Sequence, residues 1–104
     1  MDRRQLFSAE DRWVGWARTD PGVEGGWHHH GDHDTYIYVI SGTVHIDSGP
    51  GGRDRVTATA GDVILNPKRM VHREVTPPGE ACEMFGVRVG SGPGIFNVDG
   101  PDPG

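Results

Sequence analysis

The chain has 104 residues and a mass of 11.3 kDa, which allows one domain with a small core. Its 17 glycines and 8 prolines leave almost no window long enough for a helix, and they argue against a helical architecture. A formal net charge of −5 without a basic stripe argues against nucleic acid or membrane as a partner, and the single cysteine, Cys82, excludes an intramolecular disulfide.

The chain instead reads as short β-strands separated by turns. We predict strands over residues 12–18, 35–40, 43–47, 53–59, 63–65, 70–76 and 81–89. With a histidine-containing segment before the second of these, this makes about eight strands at even spacing, which is typical of an all-β sandwich or barrel with one interior pocket. We expect a peripheral segment over residues 1–11, the barrel over 12–98 and an irregular tail over 99–104.

Three histidines in a row mark a candidate metal site. Alternation along a strand places His28 and His30 on one face and His29 on the other. Two imidazoles on one face can chelate one metal ion, but a third ligand must come from elsewhere. His72 is the attractive candidate, because its predicted strand follows the Gly61-Asp62 turn and the stop at Pro67.

The spacing around these histidines resembles the two cupin motifs. Gly22, five residues, His28-x-His30, four residues, Thr35, six residues and Gly42 resemble the first motif, and Gly61, five residues, Pro67, four residues and His72 resemble the second. The resemblance spans residues 22–76, about half the chain. It implies the double-stranded β-helix (jelly-roll) fold and one divalent metal ion held by His28, His30 and His72.

This sequence departs from the motifs at three positions. Thr35 stands where the family has a glutamate ligand, Arg69 where the second motif has a glycine, and Thr76 where it has an asparagine. Three neutral imidazoles leave a divalent ion its full charge, and such a site favours an anionic ligand. Imidazole suits several metals, so iron, zinc, nickel and manganese all remain open.

Other polar residues near the motifs are candidates for catalysis. Thr35, His33 and Arg69 are the ones we consider, whereas Asp34 would replace the glutamate only if the strand register slipped by one. Arg88 shares a strand face with Cys82 and Met84, and it could bind a carboxylate if that face lines the pocket. The sequence favours an exterior salt bridge for it.

Two functions therefore stay open. The first is a metal-dependent enzyme acting on a small anionic or chelating substrate, either as a dioxygenase resembling the three-histidine cupins or as a Lewis-acid isomerase or cyclase. The second is a cupin that binds a sugar-like or other small ligand, or an accessory protein, without turnover. We expect a cytoplasmic protein. We also expect a homodimer, since Trp13 and Trp16 alternate to opposite sides of their strand and one ring should leave the barrel.

Overall fold

The computed structural model describes residues 2–102, and within them nearly all regular structure is β-strand. The strands are β1 (Asp2–Ala9), β2 (Arg12–Thr19), β3 (His28–His29), β4 (Asp32–Ser41), β5 (Thr43–Ser48), β6 (Asp54–Thr59), β7 (Val63–Asn66), β8 (Arg73–Val75), β9 (Cys82–Ser91) and β10 (Phe96–Asn97). One 3-10 turn lies at Pro50–Gly52. Over this part of the chain we find no helix with the length and hydropathy needed to cross a membrane.

The strands form two facing layers. One is an antiparallel five-stranded sheet in the order β1-β2-β9-β4-β7. The other is built from β6-β5-β8, and residues 23–28 continue it, because Gly25 donates to the Glu74 carbonyl and Thr76 donates to the Val23 carbonyl. The β3-β10 pair extends this layer further. The predicted all-β, double-stranded β-helix fold is confirmed.

The core lies between the layers and follows the period of two that the strands impose. Its buried apolar side chains are Ile37, Val39, Val44, Ile46, Ala58, Ile64, Cys82 and Met84. Burial raises the pKa of the Cys82 thiol to about 11, so this cysteine is a small apolar core residue and not a nucleophile. Tyr36 and Tyr38 alternate to the outer face.

Two glycines on the inner face leave room beside this core. Gly15 of β2 is paired with Gly86 of β9, so two neighbouring strands both lack a side chain at the same level. The ring of Trp13 occupies part of this space, since a Cβ built on Gly15 would lie 2.0 Å from it. The paired glycines thus create a cavity in a barrel of this small size.

The predicted and observed strands differ most at the start of the chain and after Arg69. Residues 2–9, expected to be peripheral, form an exposed edge strand that pairs only with β2. The strand predicted over 70–76 is shorter, because Arg69 takes a left-handed φ of 63° at the motif's glycine position and the chain turns there. The boundaries at 11–12 and 98–99 stay predictions, and residues 1, 103 and 104 lie outside the described residues.

An ion-pair cluster holds the smaller layer together. Asp47 of β5 is buried and accepts two hydrogen bonds from Arg55 of β6, at 2.7 and 3.0 Å, and one from Arg73 of β8, at 3.1 Å. Charge-assisted bonds of this kind are stronger than neutral ones. They fix the position of β8, which carries part of the candidate site.

Candidate metal centre

Backbone pairing brings the two histidine motifs side by side. His28 donates to the His72 carbonyl at 3.0 Å, and His72 donates to the His28 carbonyl at 2.9 Å. The His28 and His72 rings lie 4.4 Å apart between centroids, and His30 lies 5.0 Å from each. Alternation turns His28 and His30 to the same interior side, and His29 points away to stack on Phe96.

The three rings are oriented by the same kind of hydrogen bond. The Nδ1 atom of each ring lies within 3.0 Å of a backbone carbonyl: that of Gly26 for His28, Gly94 for His30 and Met70 for His72. A carbonyl only accepts, so each Nδ1 carries the hydrogen, and in the neutral ring Nε2 keeps its lone pair. The ligand atoms of the three histidines lie within 4.8 Å of one another. Such outer hydrogen bonds are typical of histidines that bind a metal ion.

A carboxylate that the sequence analysis overlooked completes this cluster. Glu74 of β8 lies two residues after His72, so both side chains point inward. Its carboxylate oxygens lie 3.7 Å from Nε2 of His28 and 3.6 Å from Nε2 of His72. The three lone pairs therefore lie close together, with a carboxylate beside two of them. The three histidines fit a divalent metal ion.

The electrostatics of the cluster agree with that fit. Burial lowers the pKa of His30 to about 4, and the neighbouring His72 and His28 lower it too, so this imidazole is neutral at pH 7. Burial acts to raise the pKa of Glu74, but the bond to His72 and the surrounding imidazoles hold it below its ordinary value. Burial would lower the pKa of His72, but Glu74 raises it overall. The imidazoles therefore favour the ionised form of Glu74.

Two further buried polar side chains border the cluster on the larger sheet. Thr35 lies on the inner face of β4, 6% exposed, where the family's glutamate would be. Its backbone partner Asn66 is fully buried and approaches Nε2 of His72 to 3.4 Å. Thr35 Oγ1 and Asn66 Oδ1 find no hydrogen-bond partner among the described residues. Of the two, Thr35 lines the cavity beside the histidines.

The other two catalytic candidates lie elsewhere. His33 is buried and its Nδ1 lies 3.0 Å from the His30 carbonyl, so it supports the strand that carries a ligand. Arg69 is an exposed side chain that pairs with Asp32 at 2.6 Å and does not line the cavity at the histidines. Asp34 keeps the opposite strand face and accepts a hydrogen bond from the Lys68 backbone, so the register slip does not occur.

The histidines open into a cavity of about 430 Å³. Besides the cluster, its lining residues include Arg3, Trp13, Thr35, Ile37, Met84, Arg88 and Ile95. The expectation that Arg88 faces the exterior is wrong, because the register places it on the same inner face as Met84 and Gly86. The segment after β9 also borders the cavity, and its Ile95 and Asn97 contribute to the lining.

Comparison with known proteins decides the family. The family model described as "Cupin domain" matches residues 15–89, which is most of the chain. The chain is a cupin. Curated protein sequences give no match.

Solved structures agree with this cupin fold. An uncharacterised protein with a double-stranded β-helix domain from Klebsiella pneumoniae is 23% identical, with a TM-score of 0.81 over 93% of this chain and 83% of that one. A cupin 2 conserved barrel domain protein from Salinispora arenicola is 25% identical, with a TM-score of 0.70 over 84% and 73%. KdgF from Halomonas sp. is 21% identical, with a TM-score of 0.69 over 84% and 76%.

Proposed function

We propose that this cupin is a metal-dependent enzyme that acts on a small anionic or chelating molecule inside the barrel. The observation that carries the proposal is the convergence of three Nε2 lone pairs, each oriented by an Nδ1–carbonyl hydrogen bond, at one side of a 430 Å³ cavity. We assign His28, His30, His72 and Glu74 as the residues that hold one divalent ion. That ion would supply Lewis-acid or redox chemistry at the substrate's donor atoms.

The residues around this set have separable tasks in the proposed reaction. Glu74 supplies the negative charge that the glutamate of the first cupin motif provides in the family. The carboxylate oxygen of Glu74 that does not bind the ion can accept a proton from the substrate. Thr35 Oγ1 can orient the substrate by a hydrogen bond, because it lines the cavity and has no other partner among the described residues. Ile37, Met84 and the Trp13 ring exclude water from one side of the cavity.

A cupin that binds its ligand without turnover is the second candidate. It is favoured by the small number of acid–base groups, because Glu74, His28 and His30 are the carboxylate and imidazole side chains among the described cavity-lining residues. All three belong to the proposed metal set. A binding protein would need the same cavity but no proton acceptor.

Metal analysis of protein purified without a tag tests whether the three histidines hold a divalent ion. We expect about one equivalent of a divalent metal, and its loss in His28→Ala and in His72→Ala. His45→Ala is the matched control, because His45 lies in β5 and bonds Thr57 on the strand surface. A wild-type protein without affinity for iron, zinc, nickel or manganese would refute the metal site.

Turnover distinguishes the two candidates. The iron-loaded protein would be incubated with small 1,3-diketones and 2-oxo acids while dissolved oxygen is recorded, and the zinc-loaded protein would be followed by proton exchange at the carbon beside the carbonyl. Oxygen uptake or exchange that is lost in Glu74→Gln supports an enzyme. Saturable binding with no reaction in either form supports the ligand-binding cupin.

A further inference from the structure

Arg88 is a cation within the cavity, and the described part of the chain gives it no carboxylate partner. Its guanidinium carbon lies 4.3 Å from the centroid of the Trp13 ring, and its Nη1 lies 3.4 Å from the Gly94 carbonyl oxygen. The same carbonyl accepts the Nδ1 hydrogen of His30. The guanidinium therefore lies next to the candidate metal centre, on the His30 side of it, whereas Glu74 contacts His28 and His72.

Several other arginines of the described chain have a carboxylate within 4 Å. They include Arg12, Arg18, Arg55, Arg69 and Arg73. No carboxylate lies within that distance of Arg88 among residues 2–102, although the chain has 15 acidic residues. Burial lowers the pKa of Arg88, and the nearby charge of Arg3 lowers it further, yet arginine keeps its proton. An anion that enters the cavity would relieve this unbalanced charge.

The packing of Arg88 suits recognition of an anion. The indole of Trp13 covers one face of the guanidinium, and the Gly94 carbonyl takes up part of its donor capacity. A guanidinium held in this way loses little rotamer freedom when its remaining N–H groups bind the two oxygens of a carboxylate. The adjoining surface, from Trp13, Ile37, Met84 and Ile95, is apolar.

We propose that Arg88 is the carboxylate-binding residue of this cavity, and that the ligand is a small carboxylic acid with an apolar body. Its carboxylate would pair with Arg88, its apolar part would lie against Trp13 and Met84, and its remaining donor atoms would face the histidines. The orientation toward the histidines rests on the proposed function, but the carboxylate site itself does not. The site determines which substrates are held, and it is distinct from the metal-holding residues.

Ligand-observed fluorine NMR with a matched pair of probes tests this site. The probes are 4-fluorophenylacetate and the neutral 4-fluorophenylacetamide, which have nearly the same shape and differ in charge. We expect the wild-type protein to bind the carboxylate at least tenfold more tightly than the amide. Arg88→Gln should remove this preference, and Arg88→Lys should keep part of it, because lysine retains the charge but not the planar fork. Arg12→Gln, at an exposed ion pair on β2, is the control and should bind as wild type does.

The titrations are made on chelator-treated and on zinc-loaded protein, because a carboxylate can also bind a metal ion. A preference that depends on Arg88 in both forms supports the site. Equal binding of the two probes to wild type, or an unchanged preference in Arg88→Gln, overturns it. The wild-type comparison stands even if the Arg88→Gln variant fails to fold. Protein that takes up no metal but binds the carboxylate through Arg88 refutes the metal-dependent function and leaves this proposal intact.

Discussion

Replacing Glu74 by glutamine separates a ligand role for this side chain from a structural one. The amide keeps the size and shape of the side chain and removes its charge. The carboxylate oxygens lie 3.7 and 3.6 Å from Nε2 of His28 and His72, so a cation held by those nitrogens would lie within about 4 Å of the charge.

The size of the effect follows from that separation. At an effective dielectric constant of about 20, each unit of cation charge at about 4 Å contributes roughly 4 kcal/mol. Desolvation offsets much of such a gain for buried charges. We therefore expect Glu74→Gln to weaken zinc binding by about 3 kcal/mol, or roughly 100-fold.

Competition against a chromogenic zinc chelator at neutral pH measures this loss. Glu80→Gln is the matched control, since Glu80 is an exposed residue in the loop before β9. Circular dichroism would verify that the variant keeps its β-structure. Zinc affinity within threefold of wild type in a folded Glu74→Gln protein would refute the assignment of Glu74 to the metal site.

Four further predictions concern the candidate metal site, the Asp47 ion pairs and the oligomeric state. In the Glu74→Gln background, Thr35→Glu should restore zinc affinity to within about tenfold of wild type, because the new carboxylate stands at the family's ligand position. If zinc affinity does not recover, position 35 does not face the ion. Asp47→Asn keeps one acceptor but loses charge-assisted bonds, so the free energy of unfolding should fall by about 3 kcal/mol and the Tm by roughly 10–20 °C. The bond from Arg55 holds the pKa of Asp47 below its ordinary value. The ionised carboxylate therefore stabilises the fold above the unfolded pKa of about 3.9, and this contribution is lost as the pH falls through the folded pKa. Asp47→Asn should accordingly weaken the fall of Tm at acid pH. The expected homodimer predicts a mass near twice 11.3 kDa by light scattering, and Tyr38→Asp on the exposed outer sheet face should halve it, whereas a wild-type monomer would contradict the dimer.

The parts of the fold that the sequence predicts are those controlled by local rules. Strand alternation alone places His28 and His30 on one side, and the turn residues around Gly42 and Gly61 fix where strands end. At Gly42 a side chain is impossible, since its Cβ would lie 2.3 Å from the Ala81 carbonyl oxygen. The motif spacing brings His72 to the same place because it encodes this pattern of turns.

The parts that the sequence does not predict depend on pairing between distant segments. The sequence contains His72-x-Glu74, with the same alternation as His28-x-His30, but only the pairing of β8 with residues 23–28 shows that this face meets the histidines. Strand β1 has both faces exposed, so it lacks the alternation that identifies a strand. Arg88 shares a strand face with Met84, but its charge favoured an exterior position, because a core rarely contains an unpaired cation. Such a cation is typical of a binding site, where local rules of folding are broken.

The paired glycines of β2 and β9 give the cavity an adjustable size. A Cβ on Gly86 would meet nothing nearer than the Tyr36 carbonyl oxygen at 3.9 Å, so alanine fits there without strain. At Gly15 an added methyl would displace the Trp13 ring and with it the surface on which Arg88 lies. Apolar pockets separate ligands that differ by one methylene by about 1–3 kcal/mol. Related barrels that differ only at these two positions would therefore prefer acids of different chain length while sharing one metal centre.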